Sequence, residues 1–185
     1  MELRQKAWDT VHAHMQNQNL IKHVLAVEVL MRALARKFEQ DEEIWGATGL
    51  VHDIDWEETK NDPMRHSIVG SQLLEKEGYP PEIVSAVKVH NYMHGIEPET
   101  LLEKALYATE EMTGFIVACA LVQPSKKLAD VSIESIMRKM KEKTFAAGVD
   151  RVLLSKSKDM LGMETEEVAK ICLEEMQKIS DKLGL

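Results

Sequence analysis

Cysteine is nearly absent. Two among 185 residues are too few for a disulfide scaffold, and both Cys119 and Cys172 sit in apolar helical patterns, which reads as a buried, reduced pair. Long apolar runs are missing as well. The stretch 114–122 falls well short of the roughly 18 residues that a membrane-spanning helix needs. No basic-then-apolar leader opens the chain, so a cytoplasmic protein is the expectation. Basic charge is in deficit: 23 Lys and Arg stand against 31 Asp and Glu, a formal net charge of −8. That balance argues against specific partnership with nucleic acid or a membrane surface, where phosphates call for a basic face, but it leaves small anionic ligands open. There is no P-loop, no dinucleotide fingerprint, no evident Ser/His/Asp set, no repeat and no long linker. What is present, 44% hydrophobic and 29% charged residues, is close to a soluble globular average and excludes a disordered or collagen-like chain.

Few segments alternate with the period of two that a half-buried strand requires, whereas the 3.6 period recurs throughout. Leu20, Val24, Val27, Leu30, Met31, Leu34 and Phe38 form one stripe. Asp41 is placed to cap a helix running from Glu42 to His52. Asn61-Asp62-Pro63 marks a turn, and a helix with Ile68, Leu73 and Leu74 stops at Gly78. Pro80-Pro81 opens the next, which carries Ile83, Val84, Val87 and His90, because a first turn has no use for the missing N–H. The most apolar segment, 101–122, reads as a central helix ended by Pro124, and helices over about 133–143, 149–161 and 165–183 follow. The expectation is a single all-α domain over 1–185, a bundle of about eight or nine helices, with a core at about 20–123 and C-terminal helices at about 128–184 packing on it.

Seven histidines stand at 12, 14, 23, 52, 66, 90 and 94. His12 and His14 belong to a polar first helix and are expected to face solvent, and His94 lies in a loop as surface or rim. The other four sit near the apolar edge or the end of a helix. One such histidine is usually a satisfied core residue. Four of them, beside the dipeptide His52-Asp53, suggest a cation site instead, since imidazole nitrogen and carboxylate oxygen together suit a divalent first-row metal. Neighbouring residues diverge by about 100° in mid-helix, so His52 and Asp53 can converge only where a helix ends, and the turn signals after Asp53 put them there.

The order His23, His52-Asp53, His66, His90 and then an acidic residue resembles the HD-domain superfamily of metal-dependent phosphohydrolases. It is closest to the small, stand-alone, uncharacterised HD-domain predicted hydrolases. Three blocks carry the resemblance: Gly49-Leu50-Val51-His52-Asp53-Ile54-Asp55-Trp56-Glu57, Ala105-Leu106-Tyr107-Ala108-Thr109-Glu110-Glu111-Met112-Thr113-Gly114-Phe115, and Lys143-Thr144-Phe145-Ala146-Ala147-Gly148-Val149. It extends over residues 20–183. It implies that His23, His52, Asp53 and Glu110 ligate a first metal, with His66 and His90 adding a second that Asp53 bridges. The branch usually shows aspartate where Glu110 stands, and the extra methylene bears on metal preference and turnover. Glu111 is the less favoured neighbour.

A phosphohydrolase of this kind uses metal-activated water, with one or two divalent ions among Mn, Fe, Mg, Co, Ni and Zn, on a phosphate ester of a small metabolite or nucleotide. Lys139, Lys143 and Arg151 flank the third block and are candidates to hold the phosphate, or else form a solvated basic face; Arg65 is a weaker candidate. Asp55 and Glu58 follow the His-Asp pair and could orient a ligand histidine, accept a proton in catalysis, or be loop acids. The tripeptide Gly78-Tyr79-Pro80 reads as a helix-breaking turn, not as the mark of the cyclic-dinucleotide branch. Two other readings stand beside the enzyme: a non-catalytic metal-binding or regulatory domain, and an HD-type di-iron oxygenase. A homodimer is compatible with an apolar-rich helical chain of this size.

Overall fold

The structure, a computed structural model, describes residues 2–185. Every regular element among them is helical: thirteen α-segments and two short 3₁₀ turns, with no strand. The chain divides into two compact units, one ending at Tyr107 and the other spanning 108–185.

The first unit holds α1 (Leu3–His14), α2 (Gln18–Lys37), α3 (Glu42–Val51), α4 (Trp56–Thr59), α5 (Ile68–Lys76) and α6 (Pro81–His90), and α7 (Leu101–Thr109) leads out of it. The stripe expected on α2 is buried at Val24, Val27, Leu30, Met31 and Leu34. Asn17 caps α2 by accepting the Asn19 N–H, and Asp41 caps α3 by accepting those of Glu43 and Ile44 at 2.8 and 3.1 Å. The core joins Val24 to Leu50, Val51 and Ile54 and, from the far side, to Leu74, Ile83 and Val87. Pro81 occupies the first turn of α6 as expected. A capping box starts α7: Thr100 Oγ1 accepts the Glu103 N–H while Glu103 Oε2 accepts the Thr100 N–H. Glu103 Oε1 also accepts the Ser85 hydroxyl, tying α7 to α6.

Two glycines set how closely α3 lies on α2. A Cβ at Gly49 would stand 2.9 Å from the backbone of Glu28, and one at Gly46 would overlap the Arg32 side chain. Side chains at these places would push the helices apart, so the glycines let the two backbones meet. Buried Glu28 accepts from both Arg4 and Arg32 along the same face.

The second unit contains α8 (Glu111–Leu121), α9 (Ile133–Met140), α10 (Arg151–Ser155), α11 (Ser157–Leu161), α12 (Thr165–Lys178) and α13 (Ser180–Leu183). Helix α12 packs on α8 and α9, and Val168, Cys172 and Met176 of α12, Phe115 and Cys119 of α8 and Ile136 of α9 are all buried. Both cysteines are free and buried. Burial pushes the Cys119 thiol up to about 11 and raises Cys172 as well.

Several boundaries differ from expectation. The run 101–122 is two helices, because the Glu110 carbonyl accepts both the N–H and the hydroxyl of Thr113, tightening the chain to an i→i+3 turn. The helix expected over 133–143 stops at Met140, where the Arg151 guanidinium takes the carbonyls of Met140 and Glu142. The run 149–161 starts at Arg151, capped by Asp150, and is interrupted at Lys156, next to the Ser155 hydroxyl that bonds back to Val152. The run 165–183 breaks at Ile179. Gly78, Gly162 and Gly184 all adopt positive φ where helices end.

Candidate metal centre

His23 lies on α2, and His52 occupies the C-terminal cap of α3, with Asp53 just beyond. The close approach of α3 at Gly49 carries the His52 ring to His23, where the two Nε2 atoms stand 3.3 Å apart. Asp53 Oδ2 lies 3.5 Å from each of them. On the other side, Asp53 Oδ1 is 3.3 Å from His66 Nε2 and 3.5 Å from His90 Nε2, and those two nitrogens are 3.1 Å apart. The five residues therefore form two triangles of potential ligand atoms that share the Asp53 carboxylate, one oxygen in each.

Backbone and buried groups fix which ring nitrogen faces inward. His52 Nδ1–H donates to the Gly49 carbonyl at 2.8 Å, and His90 Nδ1–H donates to that of Val87 at 2.6 Å. His66 Nδ1–H donates to Asp55 Oδ1 at 2.9 Å, while Asp55 Oδ2 accepts the Gly70 N–H. A Cβ at position 70 would stand 3.1 Å from Asp55, so glycine lets the backbone reach that carboxylate. With the Nδ1 sides of His52, His66 and His90 occupied, their Nε2 atoms face one another, His23 Nε2 and the Asp53 carboxylate. A cluster made only of acceptors calls for a cation. The spacing agrees: ligand atoms about 2.1 Å from a tetrahedral cation stand about 3.4 Å apart. The residues present fit a divalent metal at either triangle.

Electrostatics point the same way. Burial pushes His52 down to about 3 despite the attraction of Asp53, so that ring is neutral and ready to ligate. Burial also lowers His23. For His66 burial is outweighed by its hydrogen bonds to Asp53 and Asp55, which bring it up to about 9. Burial alone would raise Asp53, but the surrounding histidines, His52 foremost, hold it well below the usual carboxylate range. In the metal-free chain the proton on His66 is the cation the cluster needs.

A second set of contacts holds the His66 side to the His90 side. Asn91 Nδ2 donates to the carbonyls of Pro63 and His66, His94 Nε2–H donates to the His66 carbonyl at 2.7 Å, and the Ser67 hydroxyl donates to the Lys88 carbonyl. Ser67 is buried at φ 69°, a strained conformation for a residue with a side chain, and it turns the chain between His66 and α5. Sequence reasoning had not singled out Asn91, Ser67 or Gly70. Their only signal in the sequence is position, each within four residues of a histidine of the cluster.

The HD domain family model matches residues 20–180. The chain belongs to the HD domain family. Curated relatives of this HD domain include the tRNA (cytidine(56)-2'-O)-methyltransferase of Thermoplasma volcanium, 32% identical over 60% of this chain and 33% of that protein. Ribonuclease Y of Desulforudis audaxviator is 30% identical over 52% of this chain and 18% of its own length, and that of Desulfotalea psychrophila is 29% identical over the same shares. The matched part of the HD domain is thus a third or less of each relative. No solved structure matches significantly.

The other expected site residues fall in different places. Asp55 is buried against His66, whereas Glu58 is exposed and accepts from Arg65 at 2.8 Å. Glu110 stands between α7 and α8 in the second unit, where its carbonyl holds Thr113; both donor triangles are built from the first unit. Lys139 Nζ lies 4.3 Å from the Phe145 ring centroid, and Lys143 is exposed. Arg151 donates to the carbonyls of Met140, Glu142, Phe145, Ala146 and Val149, so its guanidinium shapes the 140–149 loop. His12 and His14 are exposed as expected, and His94 lies at the rim. Among the described residues, no helix is long and apolar enough to cross a membrane.

Proposed function

We propose that this HD domain is a metal-dependent phosphohydrolase acting on a phosphate ester of a small metabolite or nucleotide. The observation that carries the reading is the Asp53 carboxylate, which presents one oxygen to His23 and His52 and the other to His66 and His90 at 3.3–3.5 Å. When bound at these positions, divalent cations supply Lewis acidity toward a phosphoryl oxygen and a water that ionises near neutral pH. The chain's part is to hold ligands rigidly: two histidines on helix ends with their Nδ1–H groups anchored to backbone, and His66 anchored by Asp55. Asp55 is a positioning residue in this scheme. Glu58, paired with Arg65 on the surface, has no such part, and the Arg151 guanidinium is engaged by the carbonyls of its own loop.

The name of the ribonuclease Y relatives supports action on a phosphate ester. The net charge of −8 favours a small ester over a long polyanion. The test is elemental analysis of the purified protein together with a phosphatase screen in added Mn²⁺, Mg²⁺, Co²⁺ or Ni²⁺. Chelator-sensitive phosphate release that Asp53→Ala abolishes is the expected result. Stoichiometric metal without turnover of any ester would identify a regulatory domain instead, and two irons per chain with oxygen uptake would identify an oxygenase.

A further inference from the structure

Apolar side chains that fold into water are the second feature of the first unit. Among its described residues the well-exposed large apolar side chains are Trp56, Met64, Tyr92 and Met93, with 39, 56, 46 and 47% of their surface accessible. Scattered exposure of this kind is ordinary, and gathered exposure is not. Here each of the four stands within three residues along the chain of Asp53, His66 or His90. The fold gathers them further. The Trp56 ring packs against the His66 ring with centroids 4.8 Å apart and planes at 82°. Asn91 joins the loop that carries Met64 to the turn that carries Tyr92 and Met93, through the carbonyls of Pro63 and His66. The same turn is held down by Met93 N–H donating to Asn91 Oδ1 and by His94 donating to the His66 carbonyl. Trp56 thus borders the His66 side of the donor cluster, and the exposed Met64, Tyr92 and Met93 stand on the two segments that Asn91 ties together next to His66 and His90.

We propose that these side chains form a binding subsite for a planar aromatic group on the phosphate ester, with Trp56 as its principal contact. The proposal rests on the phosphohydrolase reading, which puts an ester at the cluster, and it adds what the rest of that ester must be. Trp and Tyr offer flat π-faces, and methionine thioethers pack well on aromatic rings, so the four side chains match a flat unsaturated group better than a polyol or a charged tail. The contact between Trp56 and His66 means that a group attached to a phosphate at the cluster has the indole within reach.

The test compares phenyl phosphate with glycerol phosphate on the full chain, following the Trp56 indole N–H by NMR, its signal assigned with Trp56→Phe. Phenyl phosphate should bind about tenfold more tightly and move the Trp56 signal. Trp56→Ala should abolish that preference, and Trp56→Phe should keep most of it. Equal affinities, an unmoved indole signal, or no binding of either ester overturns the subsite. So does a dimer that Trp56→Ala dissociates, which would make these side chains a self-association surface. Tight phenyl phosphate binding with no phosphate released under any metal would sink the hydrolase reading and leave the subsite standing; phosphate release without aromatic preference would do the reverse.

Discussion

At the scale of single residues, Asp55 is the informative case. Asp53 and Asp55 are two positions apart, yet one faces the donor cluster and the other supports it from behind. Asp55 takes the His66 Nδ1–H on one oxygen and the Gly70 N–H on the other, and it is only 4% exposed. An amide in its place keeps the shape but retains a single acceptor oxygen, and an –NH₂ turned to His66 would force the ring into the wrong tautomer. Asp55→Asn should therefore weaken metal binding at the His66–His90 side by about 10–100-fold while leaving the His23–His52 side unchanged. Calorimetric titration with Mn²⁺ or Co²⁺ would show this as one affinity lost of two; equal weakening of both would mean that Asp55 serves the fold rather than the ligand. Sequence alone could not separate Asp55 from Glu58. Both are acids shortly after the His-Asp pair, and what divides them is the entry into α4, which buries the first and leaves the second beside Arg65 on the surface.

Elements decide whether the cluster's donor atoms meet at all. Helix α3 brings His52 to His23 only because Gly49 lies against the α2 backbone, where a Cβ would come within 2.9 Å of Glu28. Backbone cannot yield as a side chain can, so Gly49→Ala should shift α3, cost about 1–3 kcal/mol and weaken the His23–His52 side. Gly114 in α8 is the contrast, since a Cβ there meets nothing within 4 Å. Gly114→Ala should instead stabilise the chain by about 0.5–1 kcal/mol through helix propensity. Thermal melts of the two variants, with metal titration of the first, check both signs; a stabilised Gly49→Ala would refute the close-approach argument. Much at this scale was legible. The stripe on α2, the Asp41 cap, Pro81 in the first turn of α6 and the helix end at His52 all follow from local pattern. The break between α7 and α8 was not, because it comes from the Thr113 hydroxyl competing for a carbonyl inside an apolar run that otherwise favours a continuous helix. Nor was the role of Arg151, whose sequence neighbours show a basic residue after a loop and cannot show five carbonyls turned toward it.

For the whole molecule, the cluster makes stability depend on pH and metal together. His66 is raised from 6.5 to about 9 in the folded chain, so its stabilising share is complete below the unfolded value and is lost as pH climbs through 9. His52 is lowered to about 3, so the folded chain refuses a proton that the unfolded chain accepts, and stability falls as pH drops from 6.5 toward 3. From these two groups the metal-free protein is most stable near pH 6.5. A bound cation replaces the His66 proton, so the alkaline loss should vanish when metal is present. The His66 share is at most roughly 3 kcal/mol, equivalent to about 5–10 °C for a chain of this size. Calorimetry of chelated and metal-loaded protein from pH 6.5 to 9.5 should show the melting gap widening with pH. Because both donor triangles belong to the first unit, the metal-dependent shift should appear in the transition that includes it. A gap that stays constant across that range would mean that no proton leaves His66 when the cation arrives, and the two-triangle reading of Asp53 would fail with it.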